Sequence, residues 1–442
     1  MIKLQGVRNG RPVIFCSEKE EFIMVIKYKK ILYLYVLLAT ALGAAAGALV
    51  WALLYIMNLG IDLVWHTVPH YVGNETVYTI GVCLLGGLLI GLWQKKFGIY
   101  PEELEEVMHQ LKTTGTYPYS KIPMLSVAAL LPLIFGGCLG PEAGLTGIIV
   151  GLCCWVGDRL KYKGREIREI AEAGMAATLG VIFASPFVGI AFNYESGESN
   201  DSMSDLSDDE KETFKKLKKL VYIRAVAGGL GAMKLLGYIF GGGSGFPRFG
   251  RDVDITVDDW KWFAVVAAAA LLAGLIYAVV HKVTVMIGGK LINHRIISCM
   301  LAGLSLAVIG LISPWTMFSG EHQMGELMQV WQNETAGSLI WITVLKLVLV
   351  NLCINLGWKG GHIFPVIFSG VSLGYAMAMI LGIEPVFAVA VATAALCGYI
   401  MRKPVMVIGV LLLCFPVTVI IPLAAAAYLG SVIPVPFVKK EA

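Results

Sequence analysis

The stretch GGCLGPEAG, from Gly136 to Gly144, decides how this chain is interpreted. It lies inside a long apolar run, and its glycines and Pro141 interrupt any continuous helix. Glu142 is the only acidic residue between Ile122 and Val156, and a carboxylate in such a run is costly in a membrane unless it has a function. Unwound backbone is tolerated in a bilayer only where protein or a water-filled cavity satisfies it. We therefore predict a functional break in a membrane helix here.

The composition of the whole chain supports a membrane setting for this break. Of 442 residues, 57% are hydrophobic and only 15% are charged, whereas soluble domains carry about 25% charged residues. Several apolar runs exceed the roughly 18–20 residues that span a bilayer. These features predict an all-α polytopic membrane protein and exclude soluble enzymes and nucleic-acid binding. The runs are 31–57, 77–93, 122–157, 262–287, 297–312, 338–356 and 362–434.

The first 30 residues are mixed and polar, with no signal-peptide pattern. Lys27, Lys29 and Lys30 stand just before the first apolar run. Because positive charges favour the cytoplasmic side, we expect residues 1–30 to form a cytoplasmic N-terminal segment. The nine cysteines lie mostly inside apolar runs without a Cys-x-x-Cys pair, which indicates packing rather than disulfides or metal ligands.

An internal repeat organises the rest of the chain. AATLGVIFASP at 176–186 corresponds to AALCGYIMRKP at 394–404, an offset close to half the length. Two further breaks recur in the same order, and breaks at matching positions in two halves point to a transport site at mid-membrane. We predict one repeat over about 31–225 and a second over about 226–434. The further pairs are Gly140-Pro141-Glu142 with Gly360–Pro365, and Gly98–Pro101 with Ser319–His322.

Helices that begin inside a membrane can bind anions at their N-termini. Each presents unpaired backbone N–H groups and the positive end of a helix dipole, so several converging starts form an anion site. Glu142 could occupy such a site and leave it when protonated or displaced; the alternative is that it only caps its own helix. His362 is the sole titratable group in the Gly360–Pro365 break, so a pH sensor is an alternative to a purely backbone role there.

Four segments together resemble motifs of the CLC chloride channels and anion/proton antiporters. GGCLGPEAG is similar to that family's Gly-Arg/Lys-Glu-Gly-Pro motif, and GWKGGHIFP at 357–365 resembles its Gly-Gly-x-Phe-x-Pro segment. FASPFVGIAF at 183–192 looks like Phe-Asn-Ala-Pro-Leu-Ala-Gly-Ile-Leu-Phe, and GIYPE at 98–102 stands where the family has Gly-Ser-Gly-Ile-Pro-Glu. The order and spacing hold from about residue 31 to residue 434.

The resemblance implies a fold and a function. The expected fold is a CLC-like transmembrane domain over 31–442, built from two inverted-topology helical repeats with broken helices. A homodimer with one pore per subunit would pass chloride or a related small anion, possess no cofactor, and lie in a bacterial plasma membrane with both termini cytoplasmic. Glu142 would be the gating glutamate. The backbone amides expected to bind the anion are those around Pro141, Glu142, Ala143, His362, Ile363 and Phe364.

The chain also departs from the family pattern. Pro141 replaces the basic residue before the gating glutamate, and Gly98 replaces the inner serine of the central anion site, with Tyr100 nearby. The family's second, proton-relaying glutamate falls on Ser196, which leaves the preceding Glu195 as a proton-pathway candidate beside Glu142. The resemblance leaves a channel and an anion/proton antiporter equally open.

Two further features and one alternative function remain to be considered. Residues 196–212 form an acidic, serine-rich insertion, whose composition favours a solvated cytoplasmic linker over a regulatory element. Gly370-x-Ser372-x-Gly374 matches a serine-hydrolase motif, but that motif requires a strand-turn-helix context, and small residues for helix packing explain it better. The stronger alternative function is a carrier of fluoride or of a small organic anion on the same repeated scaffold.

Overall fold

The computed structural model describes residues 7–8, 11–12, 18–101, 104–114, 116–159, 165–188, 191, 208–241, 247–250 and 253–435. Within these ranges, only the backbone is described at 18–35, 104–105, 108, 111–112, 165–171 and 208–219. Glu195 and residues 196–207 of the acidic insertion lie outside the described residues. Two short strands, β1 (Val7–Arg8) and β2 (Arg11–Pro12), pair antiparallel near the N-terminus.

Helices form nearly all the rest of the described chain. The first half contains α1 (Glu18–Ile61), α2 (Glu75–Phe97), α3 (Leu104–Thr114), α4 (Ile122–Ile134), α5 (Glu142–Arg159), α6 (Arg165–Ile182) and α7 (Asp208–Phe240). The second half contains α8 (Val257–Lys261), α9 (Phe263–Lys290), α10 (Arg295–Ile312), α11 (Glu321–Val330), α12 (Ala336–Asn355), α13 (Ile363–Leu381), α14 (Pro385–Met401), α15 (Pro404–Leu411) and α16 (Ile420–Val432).

Seven helical segments of the described chain are long and apolar enough to cross a membrane. Several further apolar helices are shorter, as expected where helices are broken within the bilayer. The all-α polytopic class predicted from the sequence is confirmed, and the chain is an integral membrane protein. The seven segments are Val36–Tyr71, Glu75–Phe97, Leu220–Phe240, Phe263–Lys290, Arg295–Ile312, Ala336–Asn355 and Ile363–Leu381.

Close helix contacts in each half depend on glycine. On α1, a Cβ at Gly43 or Gly47 would collide with the backbone of α7. On α2, Gly87 stands in the same way against the backbone of α10, near Cys299 and Met300. Small residues at these positions let two helix backbones approach without loss of packing. These three glycines therefore pack helices of one subunit against each other.

The internal repeat is visible in the backbone conformation. Among the described residues of the first half, three have a positive φ, and each has a counterpart with a positive φ about 220 positions later. Because most side chains disfavour this conformation, the matching positions indicate that the breaks are the same turn built twice. The pairs are Gly98 (φ 100°) with Gly320 (93°), Gly136 (83°) with Gly357 (115°), and Ala184 (48°) with Arg402 (58°).

Two further sequence features have a definite place in this fold. The repeat boundary expected at 225/226 falls inside α7, which continues to Phe240 and packs against α1 and α6 of the first half. Ser372 lies within α13, where its hydroxyl donates to the carbonyl of Leu339 at 2.9 Å. A helix interior is not the strand-turn-helix of a hydrolase, and Gly370 and Gly374 instead face the backbone of α14.

Candidate functional site

The central helix break of the first half contacts the central helix break of the second half at one point. The Gly140 N–H donates to the Gly361 carbonyl at 2.8 Å, and the Gly361 N–H donates to the Gly140 carbonyl at 2.8 Å. This antiparallel bridge aligns the starts of α5 and α13. A Cβ at either glycine would overlap the carboxyl group of Glu142. Glycine is therefore required at both positions while the carboxylate occupies this place.

Glu142 is the first residue of α5 and is only 4% exposed. Its Oε1 accepts a hydrogen bond of 2.8 Å from the backbone N–H of Ile363, the first residue of α13. The backbone N–H groups of Glu142 itself and of Phe364 also point at the carboxylate. Its Oε2 is buried without a hydrogen-bond partner among the described residues. The carboxylate thus lies on the N-terminus of a helix in the other half, held through one oxygen.

A cavity of about 400 Å³ opens beside this carboxylate. Glu142, Ala143, His362 and Ile363 all contribute to its wall, together with the bridge glycine Gly361. Arg402 and Lys403, from the turn between α14 and α15, line the cavity as well. One acidic side chain and two basic side chains therefore meet at the same helix starts, which suits the binding of a small anion.

Arg402 has a fixed position at the cavity wall. Its Nη1 donates to the carbonyl of Ser431 at 2.7 Å and to that of Gly430 at 3.4 Å, in the last turn of α16. Its guanidinium also lies 4.8 Å from the centre of the Tyr399 ring. A cation at a helix C-terminus is favourable because it faces the negative end of the dipole. Sequence reasoning quoted Arg402 and Lys403 within the repeat but did not connect them with the site.

The other predicted site residues that the structure describes do not line this cavity. Phe364 is buried and stacks on Phe183, with ring centroids 5.1 Å apart. Pro141 is buried next to the bridge. Gly98 and Tyr100 belong to a separate turn, where Lys121 Nζ donates to the Tyr100 hydroxyl at 2.7 Å. Their predicted anion contacts remain predictions.

A buried lysine near the site was missed by sequence reasoning. Lys346 on α12 is 0% exposed, and its Nζ donates to five oxygens at 3.0–3.3 Å. Phe318, one of these acceptors, donates its own N–H to the Gly136 carbonyl at 3.0 Å, so the lysine braces the turn before α5. The available signal was a single lysine in the apolar run 338–356. The acceptors are the carbonyls of Trp315, Thr316, Met317 and Phe318 and the side chain of Gln323.

Comparison with known protein families and curated proteins places this architecture among ion-transport proteins. Residues 86–434 match the model of the voltage gated chloride channel family. YfeO of Escherichia coli O1:K1, which is named as an ion-transport protein, is 25% identical over 355 residues, covering 76% of this chain and 77% of YfeO. YfeO of Escherichia coli K12 / DH10B is 25% identical over 354 residues.

Solved structures share the fold. A CLC-type fluoride/proton antiporter superposes with a TM-score of 0.69 at 17% identity, covering 94% of this chain and 97% of that one. A slow cyanobacterial Cl⁻/H⁺ antiporter gives a TM-score of 0.73 at 15% identity, with 90% and 93% covered. A eukaryotic CLC transporter gives 0.60 at 16% identity, with 91% and 72% covered. These likenesses confirm the CLC fold predicted from the sequence.

Proposed function

Because this chain belongs to the voltage-gated chloride channel (CLC) family, we propose that it passes chloride or a related small anion through a pore formed by helix N-termini. Glu142 is the gate of this pore. The protein works as a homodimer in the bacterial plasma membrane, with its N-terminus in the cytoplasm. The anion, the proton and the lipid bilayer are its partners.

The observation that carries this proposal is the hydrogen bond from the Ile363 N–H to Glu142 Oε1. Backbone N–H groups at a helix start are a ready site for an anion, and here a side-chain carboxylate fills that site. A permeant anion would compete with it for the same donors. Hydrogen bonds to a charged acceptor are stronger than neutral ones, so protonation of Glu142 weakens its hold and favours the anion.

The cavity beside Glu142 supports the same conclusion. Its basic residues, Arg402 and Lys403, raise the local concentration of anions. The donors at the binding point itself are backbone amides with partial charges, so an anion binds there and can leave again. Pro141 stands where other family members have a basic residue, and the two cations from the α14–α15 turn supply positive charge to the same cavity.

Fluoride or a small organic anion is the second candidate substrate. The structural neighbours include one fluoride/proton antiporter and one chloride/proton antiporter. Their sequence identity to this chain is low, so the likeness supports a shared fold but does not indicate which anion is the substrate. A flux assay with reconstituted protein separates the candidates: chloride, fluoride, bromide and nitrate are compared under an imposed voltage and then under an imposed pH gradient. Uptake that requires an organic anion and ignores all four ions would favour the organic-anion carrier.

Glu142→Gln tests the gate directly. Glutamine is neutral like the protonated acid, so we expect anion flux to persist or rise and to lose most of its dependence on external pH. Chloride efflux from proteoliposomes is measured against pH for the parent and the variant, with each normalised to folded protein.

Glu172→Gln provides the matched control. Glu172 is a second buried carboxylate of the first half and accepts a hydrogen bond of 2.9 Å from Tyr222, but it does not line the cavity. This variant should keep the parent's pH profile. A purely capping role of Glu142 instead predicts about 0.5–2 kcal/mol of lost stability with the pH profile unchanged, and that result would remove Glu142 from the mechanism.

A further inference from the structure

A row of polar rings leads away from the Glu142 cavity between α9 and α13. His362, in the cavity wall, lies with its ring centroid 6.4 Å from that of Tyr277 on α9. The Tyr277 ring in turn stacks 6.1 Å from His281, with the two planes within 8°. Tyr277 and His281 are four residues apart on one helix face. Two histidines and one tyrosine thus lie in consecutive ring contacts that begin at the wall of the cavity beside Glu142.

Side-chain amides of α12 contact the ring of His281, which is the end of this row farthest from Glu142. His281 Nδ1 lies 3.0 Å from Asn351 Oδ1 on α12, and Asn351 Nδ2 is itself committed to the Leu347 carbonyl at 2.8 Å. Asn351 Oδ1 therefore faces the ring as an acceptor, which assigns the hydrogen to Nδ1 and makes Nε2 the proton acceptor. Asn355 Nδ2, a donor, lies farther from the same Nδ1, at 3.4 Å, and makes its shorter hydrogen bond to the Thr284 hydroxyl at 2.8 Å. The nearer partner, Asn351 Oδ1, therefore decides the tautomer assigned to His281.

These groups are unusual for their location. Asn351 is 1% exposed and lies within a membrane-spanning helix, four residues before its last residue, Asn355. Ionisable and polar residues inside membrane spans are costly and mark ion pathways or proton relays. From His281, α9 continues to its end, and Lys290 and Arg295 flank the turn into α10. By the positive-inside tendency this turn lies on the cytoplasmic side.

We propose that His362, Tyr277 and His281 form a proton path between Glu142 and the membrane face at the end of α9, so that this protein exchanges its anion for protons. The path rests on the proposed gating role of Glu142. It supplies a relay in a chain that has Ser196 where other family members have their second glutamate.

Each step moves one proton and changes no other bond. Protonated Glu142 gives its proton to a ring nitrogen of His362, which leaves a carboxylate and an imidazolium. The Tyr277 hydroxyl, directly or through one bridging water, accepts this proton and releases its own to Nε2 of His281. His281 is exposed on α9, and from there the proton continues towards the membrane face at the end of this helix.

The charges around the two histidines suit a relay. Arg402, Lys403 and Glu142 share the cavity with His362, and the two cations disfavour a long-lived imidazolium there. Lys282 is the charged neighbour of His281 along α9. An imidazole ring has two nitrogens, one of which can accept a proton while the other releases one.

The test uses the full-length protein in proteoliposomes, with chloride or fluoride, whichever the parent carries faster. An outward anion gradient is imposed, and anion efflux and proton uptake are recorded together with an ion electrode and a pH electrode. His281→Gln removes the titrating ring, and Tyr277→Phe removes only the hydroxyl. His109→Gln, an exposed histidine on α3, is the matched control.

We expect the parent and His109→Gln to move protons against the anion, and both path variants to keep anion efflux. Their proton-to-anion ratio should fall about tenfold or more, as expected when a positioned proton carrier is lost. Tyr277→Phe keeps the ring packing, so it tests the path even if His281→Gln does not fold. An unchanged ratio in Tyr277→Phe, or anion flux without proton movement in the parent, would overturn the path and leave the anion pore standing. Absence of anion flux in the parent would contradict the proposed function itself.

Discussion

The two halves of this molecule share their backbone turns but not their charges. Counterpart residues adopt the same conformation at Gly136 and Gly357 and again at Ala184 and Arg402. The side chains at equivalent positions differ: Glu142 in the first half corresponds to Ile363 in the second, and Ala184 corresponds to Arg402. The first half therefore brings the acid to the shared cavity, and the second half brings the cations and His362.

This difference indicates how a duplicated scaffold acquires a function. Backbone N–H groups at the helix starts depend only on the turn, so both halves can provide them. The gate that we propose requires one negative group that competes with the anion, and a second carboxylate in the equivalent position would repel the first. The contact from Ile363 N–H to Glu142 shows the result, because the acid of one half is held by the bare amide of the other.

The largest loss of stability is expected from a substitution at Lys346, where the two halves differ in charge. The counterpart of Lys346 in the first half is Leu125, at an offset of 221 residues. Lys346→Met leaves five acceptors, two of them in buried and three in part-buried hydrogen bonds, without this donor. We expect a loss of about 3 kcal/mol or more, since each unsatisfied buried polar group costs about 1–3 kcal/mol. Thermal unfolding in detergent measures the loss.

The matched control for this variant is Leu125→Met, also at a buried position. A swap of similar volume in the core should cost less than about 1.5 kcal/mol. Equal destabilisation by the two variants would show that the lysine is no more important to folding than its apolar counterpart.

A smaller effect is expected at the bridge between the halves. In Gly361→Ala the new Cβ occupies the space of the Glu142 carboxyl group, which is the end of a flexible side chain and can move out. The Ile363 N–H then loses its acceptor, at a cost of about 1–3 kcal/mol, and anion flux should become as independent of pH as in Glu142→Gln. Flux against pH and thermal unfolding are both measured.

Combining Gly361→Ala with Glu142→Ala sharpens this result. The double variant removes the group that the new Cβ displaces, so the two stability losses should not add. Gly231→Ala on α7 is the control, because no atom lies within 4 Å of its added Cβ. Strictly additive losses would mean that the bridge and the carboxylate do not interact.

The smallest effect is expected for the acidic insertion 196–212, which only the first half contains. Its composition cannot bury enough apolar surface to order itself. Replacement by a short Gly/Ser linker should leave anion flux within about threefold of the parent, as for other insertions at solvated positions. Complete loss of flux in a folded deletion variant would make the insertion part of the gate.

The sequence was sufficient to predict the breaks, the repeat and the acid at the centre. Glycine and proline act on the backbone of their own segment, so GGCLGPEAG and GWKGGHIFP indicate helix starts without any knowledge of packing. Glu142 stands out because a lone carboxylate in an apolar run needs a reason. The order of the motifs then led to the family and its fold.

The contacts of these residues could not be predicted in the same way. The acceptor–donor pair of Glu142 and Ile363 joins residues 221 positions apart, and its existence depends on how the two halves pack. Arg402 and Lys403 were visible as a charged pair in the sequence, but the direction of their side chains follows from the α14–α15 turn. The sequence shows Lys346 only as a lone charge in an apolar helix. Its carbonyl acceptors belong to another segment, and only the packing of the two segments reveals them.

The hydrogen-bonded bridge between Gly140 and Gly361 also has a consequence for synthesis on the ribosome. Its two strands of backbone are 221 residues apart in the chain. Translation proceeds at about 5–20 residues per second, so the second strand is synthesised about 10–40 s after the first. During that interval the nascent first half holds a membrane-embedded carboxylate whose helix-start donor does not yet exist. We expect the early half to be retained by the insertion machinery until its later counterpart arrives, so that a ribosome stalled between Phe240 and Val257 would yield an insertion intermediate that is readily degraded.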